Sequence, residues 1–192
     1  MLNSSFSEEY YRALNLLESG NFAEGVLVLE ASASKGDAEA ATYLGYLCLT
    51  GLPNGTANPT AAKQWFLKGS ELGSMESEFQ FGLIEIDLGA PDAAFSWFEK
   101  AANQGHIAAA QRMGYLALHD KNLSSDKALI GFEKMKWAAI QGHAFAMRDL
   151  SKALMTGVLG QRALYQAFHL RFKSLVTLIR LAWRDQNHPL IR

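Results

Sequence analysis

At 192 residues, 49% hydrophobic and 19% charged, with a net charge of −1, the chain has the make-up of a folded globular protein and not of a disordered one. No run of 18 apolar, uncharged residues is present, which excludes a membrane-spanning helix, and Met1 to Glu9 lacks the basic and apolar parts of a secretory signal. The lone Cys48 cannot close an internal disulfide, so a reducing, cytoplasmic setting is expected.

The predicted elements are helical, and they repeat. Ser5-Phe6-Ser7-Glu8 has the spacing of a capping box and starts a helix whose Tyr10, Tyr11, Leu14 and Leu17 form an apolar stripe. Asn21 to Gly36 reads as a second helix, so residues 1–35 are expected to form an N-terminal capping hairpin. From there one pattern returns. Gly36, Gly73, Gly105 and Gly142 stand 37, 32 and 37 residues apart, and nine residues after each comes Gly45, Gly82, Gly114 or Ser151. Trp65 and Trp97 each precede the next unit's glycine by eight residues. Self-similarity at a period of about 20–50 residues marks stacked supersecondary units.

Each unit reads as two helices. In the leading unit Ala40, Leu44, Leu47 and Cys48 recur at helical spacing in the first helix, and Ala62, Trp65, Phe66 and Gly69 do so in the second. Asn58-Pro59 is a start signal, an N-cap followed by a proline whose missing N–H costs nothing at that place. Gly73 and Gly105 stand where a positive φ would end the second helices. The small residues Gly45 and Gly82 would let helices approach closely, with bulky residues such as Trp97 and Phe98 filling the space around them.

These residues resemble the Sel-one-like repeat family (SLR), helical hairpins related to tetratricopeptide repeats. Gly36-Asp37, Ala40, Leu44-Gly45, Ala62, Trp65, Lys68 and Gly73 carry its pattern in one unit. Phe81-Gly82, Ala94, Trp97 to Ala102 and Gly105 carry it in the next. The likeness covers residues 36–157 and weakens in the third unit, where Lys134 stands in place of the tryptophan. It implies an all-α fold, a right-handed superhelical solenoid of about four helix-turn-helix hairpins with capping helices at both ends, in one domain over residues 1–192.

Residues 158–192 carry six Lys and Arg side chains, Arg162 through Arg192, against Asp185 alone; this +5 leaves −6 on the rest of the chain. Leu164, Phe168, Phe172, Leu175, Leu178, Ile179 and Ala182 share one helical face there, so the segment reads as a basic amphipathic capping helix. Such a helix could instead lie on an anionic membrane surface or enter a partner's groove.

In tetratricopeptide-like stacking the first helices line the concave side, which makes their non-core positions the candidate partner-binding groove. Tyr43, Tyr46, Phe79, Leu83, Arg112, Tyr115, His119, Arg148 and Lys152 are the expected contact residues. Glu39, Thr42, Leu49, Glu76, Gln80, Ile86, Leu118, Asp149 and Met155 share those positions. Tyrosine and arginine combine large contact area with a polar handle and dominate binding hot spots. The alternative is that the terminal helices close the groove, or that these side chains pack within a tightly wound stack. The implied ligand is another protein with an acidic segment.

Chemistry of other kinds finds no support in the sequence. His106 and His143 each follow a repeat glycine, where helix capping explains them better than a metal, since no third ligand is suitably spaced. Cys48 lies on an apolar helix face and reads as core. Glu85 and Asp87 diverge on a helix and cannot pair as acid and base. No phosphate loop follows a strand, and the acidic repeat body argues against nucleic acid. The expectation is therefore a non-enzymatic, cofactor-free interaction module. Small bacterial proteins resembling this family act as immunity proteins that occlude a toxin or effector, or as adaptors and scaffolds in signalling or envelope regulation.

Overall fold

The computed structural model describes residues 7–51 and 55–155, with Val176 beyond them. Among these residues the secondary structure is helical throughout, in the order α1 (Glu8–Glu18), α2 (Phe22–Ser34), α3 (Ala38–Thr50), α4 (Pro59–Glu71), α5 (Met75–Asp87), α6 (Pro91–Asn103), α7 (Ile107–His119), α8 (Ser125–Ile140) and α9 (Ala144–Met155). Two compact units divide the chain, Met1–Lys100 and Ala101–Arg192.

In the first unit each helix packs on the next, α1 on α2, α2 on α3, α3 on α4 and α4 on α5, and α5 also touches α3. Consecutive packing of antiparallel pairs is the architecture of a helical repeat solenoid. The helix starts are set by side chains that satisfy orphan N–H groups. Asp37 accepts from Glu39 and Ala40 N–H at 3.0 Å each, Asn58 from Ala61 at 3.0 Å, and Ser74 from Ser77 at 3.2 Å. Pro59 opens α4 as expected.

Two sequence readings of the capping hairpin change. The N-cap of α1 is Ser7, which accepts from Tyr10 N–H at 3.1 Å, and not Ser5 at the head of the apparent capping box. Ser7 is held there because its hydroxyl also meets Asp37 and Ser32, joining α1 and α2 to the start of α3. With that start, Tyr10, Ala13 and Leu17 face the core, whereas Tyr11 turns outward and is 52% exposed.

Close approach explains the internal glycines. A methyl group on Gly45 would lie 2.5 Å from the Phe66 ring, and one on Gly82 would lie 2.5 Å from the Phe98 ring. Phe66 and Phe98 are fully buried, so each glycine is the floor on which the aromatic of its own hairpin lies. Gly73 and Gly105 have φ of 91° and 102°, the left-handed conformation that ends α4 and α6.

The unequal repeat spacing follows from the connections. Eight residues join α3 to α4 but only three join α5 to α6, which shortens the second unit by five. The third hairpin has a five-residue connection and a second helix three residues longer than α4 or α6, which restores the 37-residue spacing.

In the second unit α7 packs on α8, α8 on α9, and α9 on α7. Its core is built from Ala109, Ala110, Met113, Met135, Ala138, Ala146 and Met147. Met135 takes the place of the phenylalanine and lies against Gly114. Smaller, flexible side chains thus replace the rings of the first two repeats.

Candidate partner-binding surface

The two units present the expected contact residues in different states. In the first unit Tyr43 and Tyr46 on α3, and Phe79 and Leu83 on α5, are all half-buried. Tyr43 packs edge-on against Tyr10 at 6.1 Å, Tyr46 edge-on against Phe66 at 5.5 Å, and Phe79 at a tilt against Phe98 at 5.7 Å. The Tyr46 hydroxyl donates to Glu76 of the following repeat, and Gln80 donates to the Tyr46 oxygen at 2.7 Å and to Glu76 at 2.8 Å. Burial, then the Glu76 carboxylate, push the Tyr46 phenol well above its ordinary pKa, so it stays a neutral donor. These rings therefore join the repeats of the first unit as well as showing part of an edge at the surface.

Thr42 does not reach the surface as its position suggested. It is 3% exposed, and its hydroxyl lies 2.9 Å from Ser74 Oγ and 2.7 Å from Ser77 Oγ. The cause is the missing Cβ at Gly69, which leaves room for Ser77 to meet Thr42 between α3 and α5.

In the second unit the expected contact residues are open. Arg112, Tyr115 and His119 on α7, and Arg148 and Lys152 on α9, are exposed. Tyr115 and His119 stack at 4.1 Å with an interplanar angle of 18°. The His119 Nδ1 lies 2.8 Å from the Tyr115 carbonyl oxygen, so Nδ1 carries the proton and donates. Arg148 lies 5.0 Å over the Phe145 ring and donates through Nε and Nη2 to Asp149 Oδ1 at 2.9 and 2.8 Å. Asp149 was grouped with the groove residues, yet it is 6% exposed, and its other oxygen accepts from Gln111 at 2.7 Å. A carboxylate bound at both oxygens is withdrawn from any external ligand.

The histidines and the cysteine have structural work. His106 Nδ1 accepts from Ala109 N–H at 3.1 Å and His143 Nδ1 accepts from Ala146 N–H at 3.3 Å, both as N-cap acceptors. Burial holds the His143 imidazole below its ordinary pKa, against the pull of Asp149. Cys48 packs against the Ala62–Phe66–Phe81 cluster, and burial pushes its thiol up, away from the nucleophilic thiolate. Glu85 pairs with Lys63 at 2.8 Å and not with Asp87. Among the described residues no group of three or more His, Cys, Asp or Glu side chains could hold a metal ion, and no helix is long and apolar enough to cross a membrane. The basic segment 158–192, expected as a C-terminal cap or a membrane-docking helix, lies outside the described residues except for Val176.

One surface feature was not anticipated. Lys68 lies 5.2 Å over Trp65 and Lys100 3.9 Å over Trp97, so the first two second helices carry a Trp-x-x-Lys cation–π pair. In α8 the order reverses to Lys134 and Trp137. Lys134 there reaches Asn103 at 2.7 Å, and Trp137, Leu129 and Ile130 line an apolar cleft of about 630 Å³. The signal in the sequence was the exchange of the two residue types at a fixed spacing of three.

Two of the described hairpins, α3–α4 and α5–α6, coincide with matches to the Sel1 repeat family model, over residues 38–74 and 79–106. Sel1 repeats thus account for these two hairpins, about a third of the chain. No curated protein sequence matches the chain. Among solved structures it is similar to a protective antigen present in uropathogenic Escherichia coli strains, which displays an SLR fold, with TM-score 0.73 and 24% identity. That likeness covers 86% of this chain and 37% of the antigen, so the chain spans little more than a third of that relative. A Sel1 repeat protein from Oxalobacter formigenes gives TM-score 0.70 at 23% identity over 88% of this chain and 68% of its own. An immunity protein from Pseudomonas aeruginosa gives TM-score 0.52 at 21% identity over 80% of this chain and 60% of its own. At these identities the likeness is one of fold, that of a helical repeat protein.

Proposed function

We propose that this chain is a non-catalytic module that captures another protein on the surface of its first helices, α3 and α5 in one unit and α7 and α9 in the other. The observation that carries the reading is the exposed Tyr115–His119 stack beside Arg112 on α7, large polar-aromatic area that the packing of the second unit leaves open. The narrower role is that of an immunity protein, which neutralises a cognate toxin or effector by occluding it. Support for that narrowing is the fold shared with the Pseudomonas aeruginosa immunity protein. Occlusion asks only for a tight, rigid surface, and no catalytic constellation. A cytoplasmic setting goes with this reading, since a lone cysteine needs no oxidising compartment.

The test is co-expression of the full chain with a toxin or effector encoded beside its gene, followed by growth and co-purification. The reading expects protection by the native chain and its loss in Tyr115→Ala combined with Arg112→Ala, while both chains melt alike. Full protection and undiminished co-purification by the double variant would overturn the surface assignment. Co-purification of a neighbouring gene's product without any protection would favour the adaptor or scaffold role instead.

A further inference from the structure

The charge on the first helices reverses between the units. The helices α3 and α5 carry Glu39, Glu76, Glu78, Glu85 and Asp87 and no Lys or Arg. The helices α7 and α9 carry Arg112, Arg148 and Lys152, with Asp149 as their only carboxylate. That carboxylate is buried, and Gln111 and Arg148 bind its two oxygens. Arg112 and Lys152 have no carboxylate partner among the described residues, and the Arg148 side chain is still 58% exposed despite its ion pair.

We propose that the α7–α9 face of the second unit binds an acidic segment of the partner protein, with an apolar or aromatic residue of that segment seated on the Tyr115–His119 stack. This rests on the partner-binding reading above and adds the chemistry of the bound segment and its place in the chain. Charge complementarity carries the argument. Uncompensated cations on a helix face raise the local concentration of an anionic segment and orient it, and a guanidinium binds carboxylates bidentately. Arg148 is held in one geometry by Asp149 and the Phe145 ring, so less side-chain entropy is lost when it takes a ligand carboxylate. The helices α3 and α5, with half-buried Glu39 and Glu76 and exposed Asp87, offer an acidic stretch no such attraction. Three cations and one aromatic stack on two helices suit a short acidic peptide segment better than a long polyanion.

The experiment titrates the isotope-labelled full chain with a synthetic oligoglutamate peptide ending in tyrosine, at low ionic strength, following amide shifts and affinity. The expected shifts fall on α7 and α9. The double variant Arg112→Glu, Lys152→Glu is expected to bind at least about tenfold more weakly, and the control Asp87→Lys to bind no more weakly than the native chain. Arg148 is left in place so that Asp149 keeps its partner and the fold is not at issue. Shifts confined to other helices, or equal affinity for the charge-reversed variant, would overturn the proposal. So would tighter binding of a single-stranded oligonucleotide with the same shifts, which would assign the face to nucleic acid. If the native partner is lost from Tyr115→Ala but retained by the charge-reversed chain, the acidic segment is refuted while partner binding at α7 stands. If neither variant loses the partner, the partner-binding reading itself fails.

Discussion

The α-carbon of Gly45 and the ring of Phe66 are so close that no side chain fits between them: a methyl group would lie 2.5 Å from the ring. Gly45→Ala gains up to about 1 kcal/mol of helix propensity, yet it forces a fully buried phenylalanine off its seat, and overpacking costs about 1–3 kcal/mol. The expected net result is a loss of about 1 kcal/mol, seen as a fall in melting temperature of about 2–4 °C. Adding Phe66→Leu should restore part of it, since the smaller side chain yields the space. A higher melting temperature for Gly45→Ala alone would show that the contact is slack.

Asp37 makes the start of α3 sensitive to acid. Burial alone would raise its pKa, but hydrogen bonds from Ser7, the Ala40 amide, Ser32 and the Glu39 amide outweigh it and hold the carboxyl below its ordinary 3.8. The stability this contributes is present above pH 3.8 and is lost as the pH falls from there through the lower folded value. Asn still caps a helix, so Asp37→Asn should narrow the gap between denaturant midpoints measured at about pH 5 and about pH 3. An unchanged gap would mean that other carboxylates carry the acid sensitivity.

His143 acts over a different range. Its Nδ1 must be unprotonated to accept the Ala146 N–H, and burial lowers its pKa below 6.5, with Asp149 opposing and His106 and Arg112 adding to the shift. The associated stability is whole above pH 6.5 and declines as the pH falls through the folded pKa. His143→Asn keeps an acceptor at the N-cap without titrating there. Its melting temperature should change less than that of the native chain between about pH 7 and about pH 5. Equal slopes would place the effect elsewhere.

Tyr46 and Tyr115 stand at equivalent positions of α3 and α7 and should respond oppositely. Tyr46→Phe removes a hydrogen bond to a carboxylate and is expected to cost about 1–2 kcal/mol of stability. Tyr115→Ala removes an exposed ring and should leave stability within about 0.5 kcal/mol while weakening partner capture. Urea denaturation of both variants decides the matter. A large stability loss in Tyr115→Ala would make that ring structural as well.

The helical repeat could be read from the sequence because its frame is made of residues with little freedom of substitution, such as Gly45, Gly82 and Trp97. The N-caps Asn58, His106 and His143 were legible for the same reason. Ser7 was not, since its role depends on Asp37, a residue 30 positions away. Thr42 and Asp149 were misplaced toward the surface because burial of a polar side chain is decided by partners on another helix, Ser77 and Gln111. The contrast between half-buried rings in α3 and α5 and open ones in α7 was also hidden. Helical periodicity gives the direction of a side chain and not what has already packed against it.

The most direct test of a protein-binding surface on the first helices is amide chemical-shift mapping of the full chain with its co-purified partner. Shifts concentrated on α3, α5, α7 and α9, largest around Arg112 and Tyr115, are the result expected. Shifts confined to the second helices α4, α6 and α8, with α7 and α9 unmoved at saturation, would contradict it.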